Sequence, residues 1–174
     1  MMTLEEFEGL GATERQDQAG LKGRIRVCQA AGCASCGSDK VLSALKEQIR
    51  AAGLEGQYEA KGVGCMGLCS EAPLVTIEPG EVLVGRVTPE EATDLVRHLQ
   101  EETRPARSLP EMPFFTRQHK IALENCGVVD PERIQDYLSR GGYSGFFKAL
   151  TEMSPLEVVN EVTSSGLRGR GGGG

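Results

Sequence analysis

Apolar and polar residues alternate with two different periods along this chain, and the switch between them outlines its elements. Arg24-Ile-Arg-Val27 alternates strictly and predicts a short strand running into Cys28. Val41, Leu42, Leu45 and Ile49 recur at helical spacing. Ser38 stands where a cap belongs, Asp39 in the first turn, Lys46 and Arg50 later, and Gly53 at the stop. Residues 57–61 predict a second strand. Residues 74–77 and 82–84 predict a hairpin around Glu78-Pro-Gly-Glu81. Thr88 and Glu91 then form a capping box around Pro89, and Ala92, Leu95, Val96 and Leu99 make the apolar stripe of another helix.

Strand, helix, strand, hairpin, helix is the order of a small thioredoxin-like α/β unit over residues 21–102. A unit of that size has a modest core, so a bound metal group would add to its stability. Residues 1–20 are polar without periodicity and are expected to be a flexible arm. Residues 103–113 carry Pro105, Pro110 and Pro113 and predict a semi-rigid linker. The composition then changes. Asp130-Pro131 predicts a helix start, with Ile134, Tyr137 and Leu138 on one face and Gly141-Gly142 closing it. Ser154, Pro155 and Glu157 predict another, with Val158, Val159 and Val162 as its apolar side. Residues 114–174 have few large apolar side chains and read as the start of a longer domain.

Charge and composition narrow the function. A net charge of −6 argues against nucleic acid or an anionic membrane as partner. No apolar run reaches the roughly 18 residues of a membrane span, and the acidic N-terminus lacks a secretory apolar core. A cytoplasmic location is therefore expected, and six cysteines there point to metal or redox work rather than disulfides. Glycine is abundant, 23 in 174 residues, against an average of roughly 7%. Many lie in the cysteine loops and in the terminal run Gly166-Leu-Arg-Gly-Arg-Gly-Gly-Gly-Gly174, which reads as a functional loop cut in its middle.

Cys28 and Cys33 form a C-x4-C pair, Cys65 and Cys69 a C-x3-C pair, each in a glycine-rich loop that follows a strand. Four thiolates converging from two loops suit a [2Fe–2S] cluster, which takes two sulfurs per iron. Glycine lets backbone N–H groups approach the cluster closely. Three alternatives use the same residues. Cys33-Ala-Ser-Cys36 resembles a dithiol redox pair, but such a pair needs no second pair of cysteines. Cys28-x4-Cys33-x2-Cys36 copies plant-type ferredoxin spacing but leaves one of Cys65 and Cys69 surplus. A structural zinc site usually employs C-x2-C pairs. Cys36 is then a bystander and Cys126 a small buried hydrophobe. His98 and His119 read as surface residues, and no acid–base catalytic constellation appears.

Val27-Cys-Gln-Ala-Ala-Gly-Cys33, Gly62-Val-Gly-Cys-Met-Gly-Leu-Cys69 and Ala72-Pro-Leu-Val75 resemble the thioredoxin-like [2Fe–2S] ferredoxin family, which includes the 24-kDa subunit of respiratory complex I. Pro113-Phe-Phe, Glu124-Asn-Cys-Gly127 and Asp130-Pro131 through Arg140-Gly-Gly-Tyr143 resemble the helical N-terminal start of the complex I 51-kDa flavoprotein. Ser165 through Gly174 resembles that family's flavin and NADH loop. The two modules in this order resemble the diaphorase subunits of bidirectional NAD-linked [NiFe] hydrogenases, with related fusions in [FeFe] hydrogenases and formate dehydrogenases.

The resemblance implies an NADH-oxidising diaphorase using FMN, NAD(H) and a [2Fe–2S] cluster, docked to other iron–sulfur subunits. It places Gly169, Arg170, Gly171, Gly172 and Gly174 at the flavin phosphate, with Arg168 nearby. Most of the flavin site would lie beyond Gly174, so this stretch alone is expected to be inactive toward NADH. Hydride transfer needs no acid–base residue, since the cofactor carries the chemistry. The alternative is a stand-alone [2Fe–2S] carrier with residues 104–174 as a docking arm.

Overall fold

A computed structural model describes residues 4–109, 113–169 and 171. Its four-stranded sheet has the order β2-β1-β3-β4. The strands are β1 (Gly23–Cys28), β2 (Tyr58–Val63), β3 (Val75–Glu78) and β4 (Val82–Val84). β1 runs parallel to β2, from Gly23 opposite Tyr58 to Cys28 opposite Val63. β3 is antiparallel to both β1 and β4. A parallel pair needs a long crossover, supplied here by the stretch containing α3 (Ser38–Ala51).

The period of two in the strands sorts side chains onto two faces. Ile25, Val27, Ala60, Val75 and Ile77 are buried with Val41, Leu45 and Ile49 of α3 and with Leu95, Val96 and Leu99 of α4 (Ala92–Glu101). This is the main core, and it contains the apolar stripes expected from the sequence. The capping box before α4 is present, with the Thr88 N–H donating to Glu91 Oε2 at 2.8 Å. At α3 the cap differs. Gly37 takes the N-cap position at φ 85, while Ser38 is the first helical residue and wholly buried. A left-handed turn there suits glycine and brings the chain sharply out of α2 (Ala31–Ala34).

The opposite face of the sheet is charged and covered. Arg24 pairs with Glu59 and with Glu78, each at 3.2 Å, and Arg26 with Glu78 at 3.0 Å. Two pieces of chain distant in sequence lie over this face, and both correct the sequence reading. Leu4–Ala19, expected as a flexible arm, is helix α1 and packs against α6 (Ile134–Ser139). It lacks an apolar stripe because its anchors are polar: Arg133 meets Glu14 at 3.0 Å, the Arg15 guanidinium donates to Ser139 O at 3.0 Å, and Gln18 donates to Asp136 at 2.6 Å. α6 in turn starts at Ile134 rather than at Asp130-Pro131. The Asp130 carboxylate accepts the Glu132 N–H at 2.9 Å and holds a turn there instead. Leu138 faces inward, while Ile134 and Tyr137 are exposed.

Residues 103–109 run back along the sheet edge, where Leu109 N–H donates to Leu83 O at 2.7 Å. Beyond them come α5 (Pro113–Thr116), α7 (Ser144–Glu152) and α8 (Pro155–Ser164). α7 has no counterpart among the elements expected from sequence. α8 begins with the expected Ser154/Glu157 capping box, but Val159 and Val162 on its apolar side are exposed. Among the described residues no helix is long and apolar enough to cross a membrane.

Candidate metal centre

The register of the sheet explains why the cysteines gather at one end. β1 and β2 are parallel and finish level, Cys28 opposite Val63, so both following loops leave from the same edge. Gln29 N–H then donates to Val63 O at 2.9 Å, and Cys28 N–H donates to Leu74 O at 3.0 Å, where the chain re-enters the sheet. One loop carries Cys33, the other Cys65 and Cys69.

Cys28 and Cys33 are buried in a small apolar cluster with Val63, Met66 and Leu74. Burial, a hydrogen bond with the Cys28 sulfur and the proximity of Cys28 and Cys69 push the Cys33 thiol up to about 12. Cys69 opens a single 3-10 turn, Cys69–Glu71, and its sulfur lies against Gly32: a Cβ at Gly32 would stand 3.2 Å from Cys69 Sγ. The structure thus brings Cys28, Cys33 and Cys69 together. Cys65 leaves the same sheet end but is exposed. Among the described residues no group of three or more Cys, His, Asp or Glu side chains closes to single-ion spacing.

The donor set nevertheless fits an iron–sulfur group. Two buried thiols lie in an apolar cluster beside a glycine that leaves room for a third sulfur, and a cationic metal is what displaces protons from such thiols. The dithiol alternative fits worse. Cys33 lies within the four-residue α2 rather than at the start of α3, and Cys36 lies in the turn between the two helices. Cys36 is exposed, as are Cys65 and Cys69. Cys126 is half-buried rather than fully enclosed. His98 bonds Thr103 through Nδ1 at 2.6 Å on the surface, and His119 is exposed.

In the glycine tail, Gly169 and Gly171 are exposed, and Gly171 has open space about it. Arg170, Gly172 and Gly174 lie outside the described residues. The sequence reading missed the charged layer over the sheet. Its signal was present in Arg24-Ile-Arg-Val27 and Glu59-Ala-Lys61, where charge alternates with apolar residues in strands that leave no face to solvent.

Fold and thiols together define a small α/β domain with a cysteine site at one end of its sheet. Residues 15–100 match the profile of the thioredoxin-like [2Fe–2S] ferredoxin family, and this stretch is a domain of that family. The chain is 57% identical over 58 residues to HndC, a component of the NADP-reducing hydrogenase of Solidesulfovibrio fructosivorans, covering 33% of this chain and 12% of that one. It is 52% identical over 44 residues to a subunit of the NADH-quinone oxidoreductase of Escherichia coli K12, covering 25% and 10%. It is 27% identical over 73 residues to a 2Fe-2S ferredoxin of Clostridium pasteurianum, covering 42% and 72%. The matched segments therefore span only about a tenth of the two oxidoreductase subunits.

Proposed function

We propose that Cys28, Cys33, Cys65 and Cys69 hold a [2Fe–2S] cluster through which the chain carries electrons in an NAD(P)H-linked oxidoreductase of the diaphorase type. The observation that carries this reading is the shared sheet end, where Cys28 and Cys33 are buried together and Gly32 makes room for Cys69. When bound, the cluster supplies one-electron transfer. The chain's own part is to hold it: Val63, Met66 and Leu74 keep water from the Cys28–Cys33 side, and exposed Cys65 and Cys69 face the side open to an electron partner.

In this reading residues 21–102 are the cluster module and residues 114–174 begin a module for FMN and NAD(H). Gly169, Arg170, Gly171, Gly172 and Gly174 would supply N–H groups and charge to the flavin phosphate. The names of the hydrogenase and NADH-quinone oxidoreductase relatives support the NAD(P)H link, and their being subunits favours other subunits as partners. A bidirectional hydrogenase is the assembly we favour.

Anaerobic reconstitution with iron and sulfide, followed by EPR of the reduced protein, tests the cluster. NADH:acceptor activity of the protein read through its full coding frame, abolished by Gly171→Val, tests the diaphorase. A self-standing [2Fe–2S] carrier is the second reading, favoured by the likeness that spans 72% of the clostridial ferredoxin. A stop codon directly after Gly174 would select it.

A further inference from the structure

We infer that residues 127–129, which follow the linker, position the Cys65 loop, with Gly127 as the positioning residue. The inference rests on Cys65 being a cluster ligand. Cys65 is exposed, but both its neighbours are held from across the module boundary. On one side, Gly64 N–H donates to Val129 O at 3.3 Å. On the other, Gly127 sits against buried Met66: a Cβ at Gly127 would stand 3.1 Å from Met66 Cγ, 3.5 Å from Met66 Cα and 3.8 Å from Cys65 O. Gly127 has φ +78, a conformation that side chains rarely adopt, so both its backbone shape and the contact require glycine.

The segment is itself fixed to the sheet. Gly127 O accepts from the buried Arg26 guanidinium at 3.1 Å. Asp136 accepts the Asp130 N–H at 2.6 Å and Lys61 Nζ at 2.8 Å, so the turn that follows is tied to β2, the strand that leads into Gly64. Met66 is also held by Thr76, whose hydroxyl donates to Met66 Sδ at 3.6 Å. A displacement at Gly127 therefore passes to Met66 and Cys65 rather than dissipating into solvent. The second module sets the geometry of one cluster ligand, and through it the environment of the cluster.

The test uses the full chain reconstituted with iron and sulfide. Gly127→Ala is expected to keep two irons per chain while shifting the EPR g-values and visible circular dichroism of the reduced cluster. Gly9→Ala, in open space on α1, should leave both spectra unmoved. The Gly127→Ala shift should shrink in a Met66→Ala background, as a coupled pair requires. Superimposable spectra for folded Gly127→Ala and wild type would overturn the inference. Should Gly127→Ala fail to fold, amide exchange of Gly64 in the unaltered chain decides. Protection comparable to β2, lost in Asp136→Asn, supports the buttress, and exchange at the solvent rate overturns it. A wild-type protein that takes up no [2Fe–2S] cluster would sink the functional reading instead, and the Gly64 exchange would still judge the contact.

Discussion

Lys61 Nζ and Asp136 Oδ2 form an ion pair at 2.8 Å, with both side chains almost wholly buried. The pair joins β2 of the thioredoxin-like domain to α6, so the two stretches share an interior. Asp136 is further satisfied by the Asp130 N–H and by Gln18 of α1, at 2.6 Å each. Burial alone would raise its carboxyl; the Asp130 N–H, the Lys61 ammonium and the Gln18 amide outweigh that and hold it below the usual carboxylate range.

Removing one member leaves a buried charge without its partner. Asp136→Ala is expected to destabilise the protein by about 3–5 kcal/mol, read from the midpoint of urea unfolding. Lys61→Met combined with Asp136→Leu should recover much of the loss, because apolar replacement of the whole pair abolishes the uncompensated charge. An Asp136→Ala protein as stable as wild type would contradict a structural role for the pair.

The same carboxylate gives stability a direction in pH. Its folded-state pKa lies below its unfolded one, so its contribution is fully present above about pH 4 and is lost as pH falls through the depressed folded value. Unfolding midpoints measured from pH 6 downward should fall more steeply for wild type than for Asp136→Asn, which has nothing to protonate there. Parallel curves would assign the acid sensitivity to other groups.

Cysteine substitutions divide by role. Changing Cys28, Cys33, Cys65 or Cys69 to Ala should bleach the visible absorption of the reconstituted protein, and Cys36→Ala should keep it. Loss of colour in Cys36→Ala with retention in one of the four would require a different ligand set.

Gly32 offers a test that leaves every sulfur in place. Its missing side chain gives Cys69 Sγ room, with a Cβ there only 3.2 Å away. Gly32→Val should lower the iron bound per chain several-fold while leaving the far-ultraviolet circular dichroism unchanged. Full iron content in that variant would mean that Cys69 reaches the cluster from another direction.

The cluster domain was largely legible because its signals are local. Helical spacing from Val41 to Ile49 and the Thr88/Glu91 capping box each determine an element within a few residues, and the core follows from them. The common sheet end from which both cysteine loops leave was legible too, since each pair follows a predicted strand. What escaped was long-range and polar. α1 is held by Glu14, Arg15 and Gln18 against partners more than a hundred residues away, and no periodicity announces such contacts. The late start of α6 has the same origin, because Asp130 commits its carboxylate to a turn and its N–H to Asp136. Gly127 carries no local signal of its place against Met66 and Cys65, and only that proximity gives it a role.

EPR of the dithionite-reduced, reconstituted chain decides whether the four cysteines hold a [2Fe–2S] cluster. A rhombic or axial spin-half signal with two irons per chain is expected, as one [2Fe–2S] cluster requires. An EPR-silent protein that instead retains zinc on the same four cysteines would contradict it.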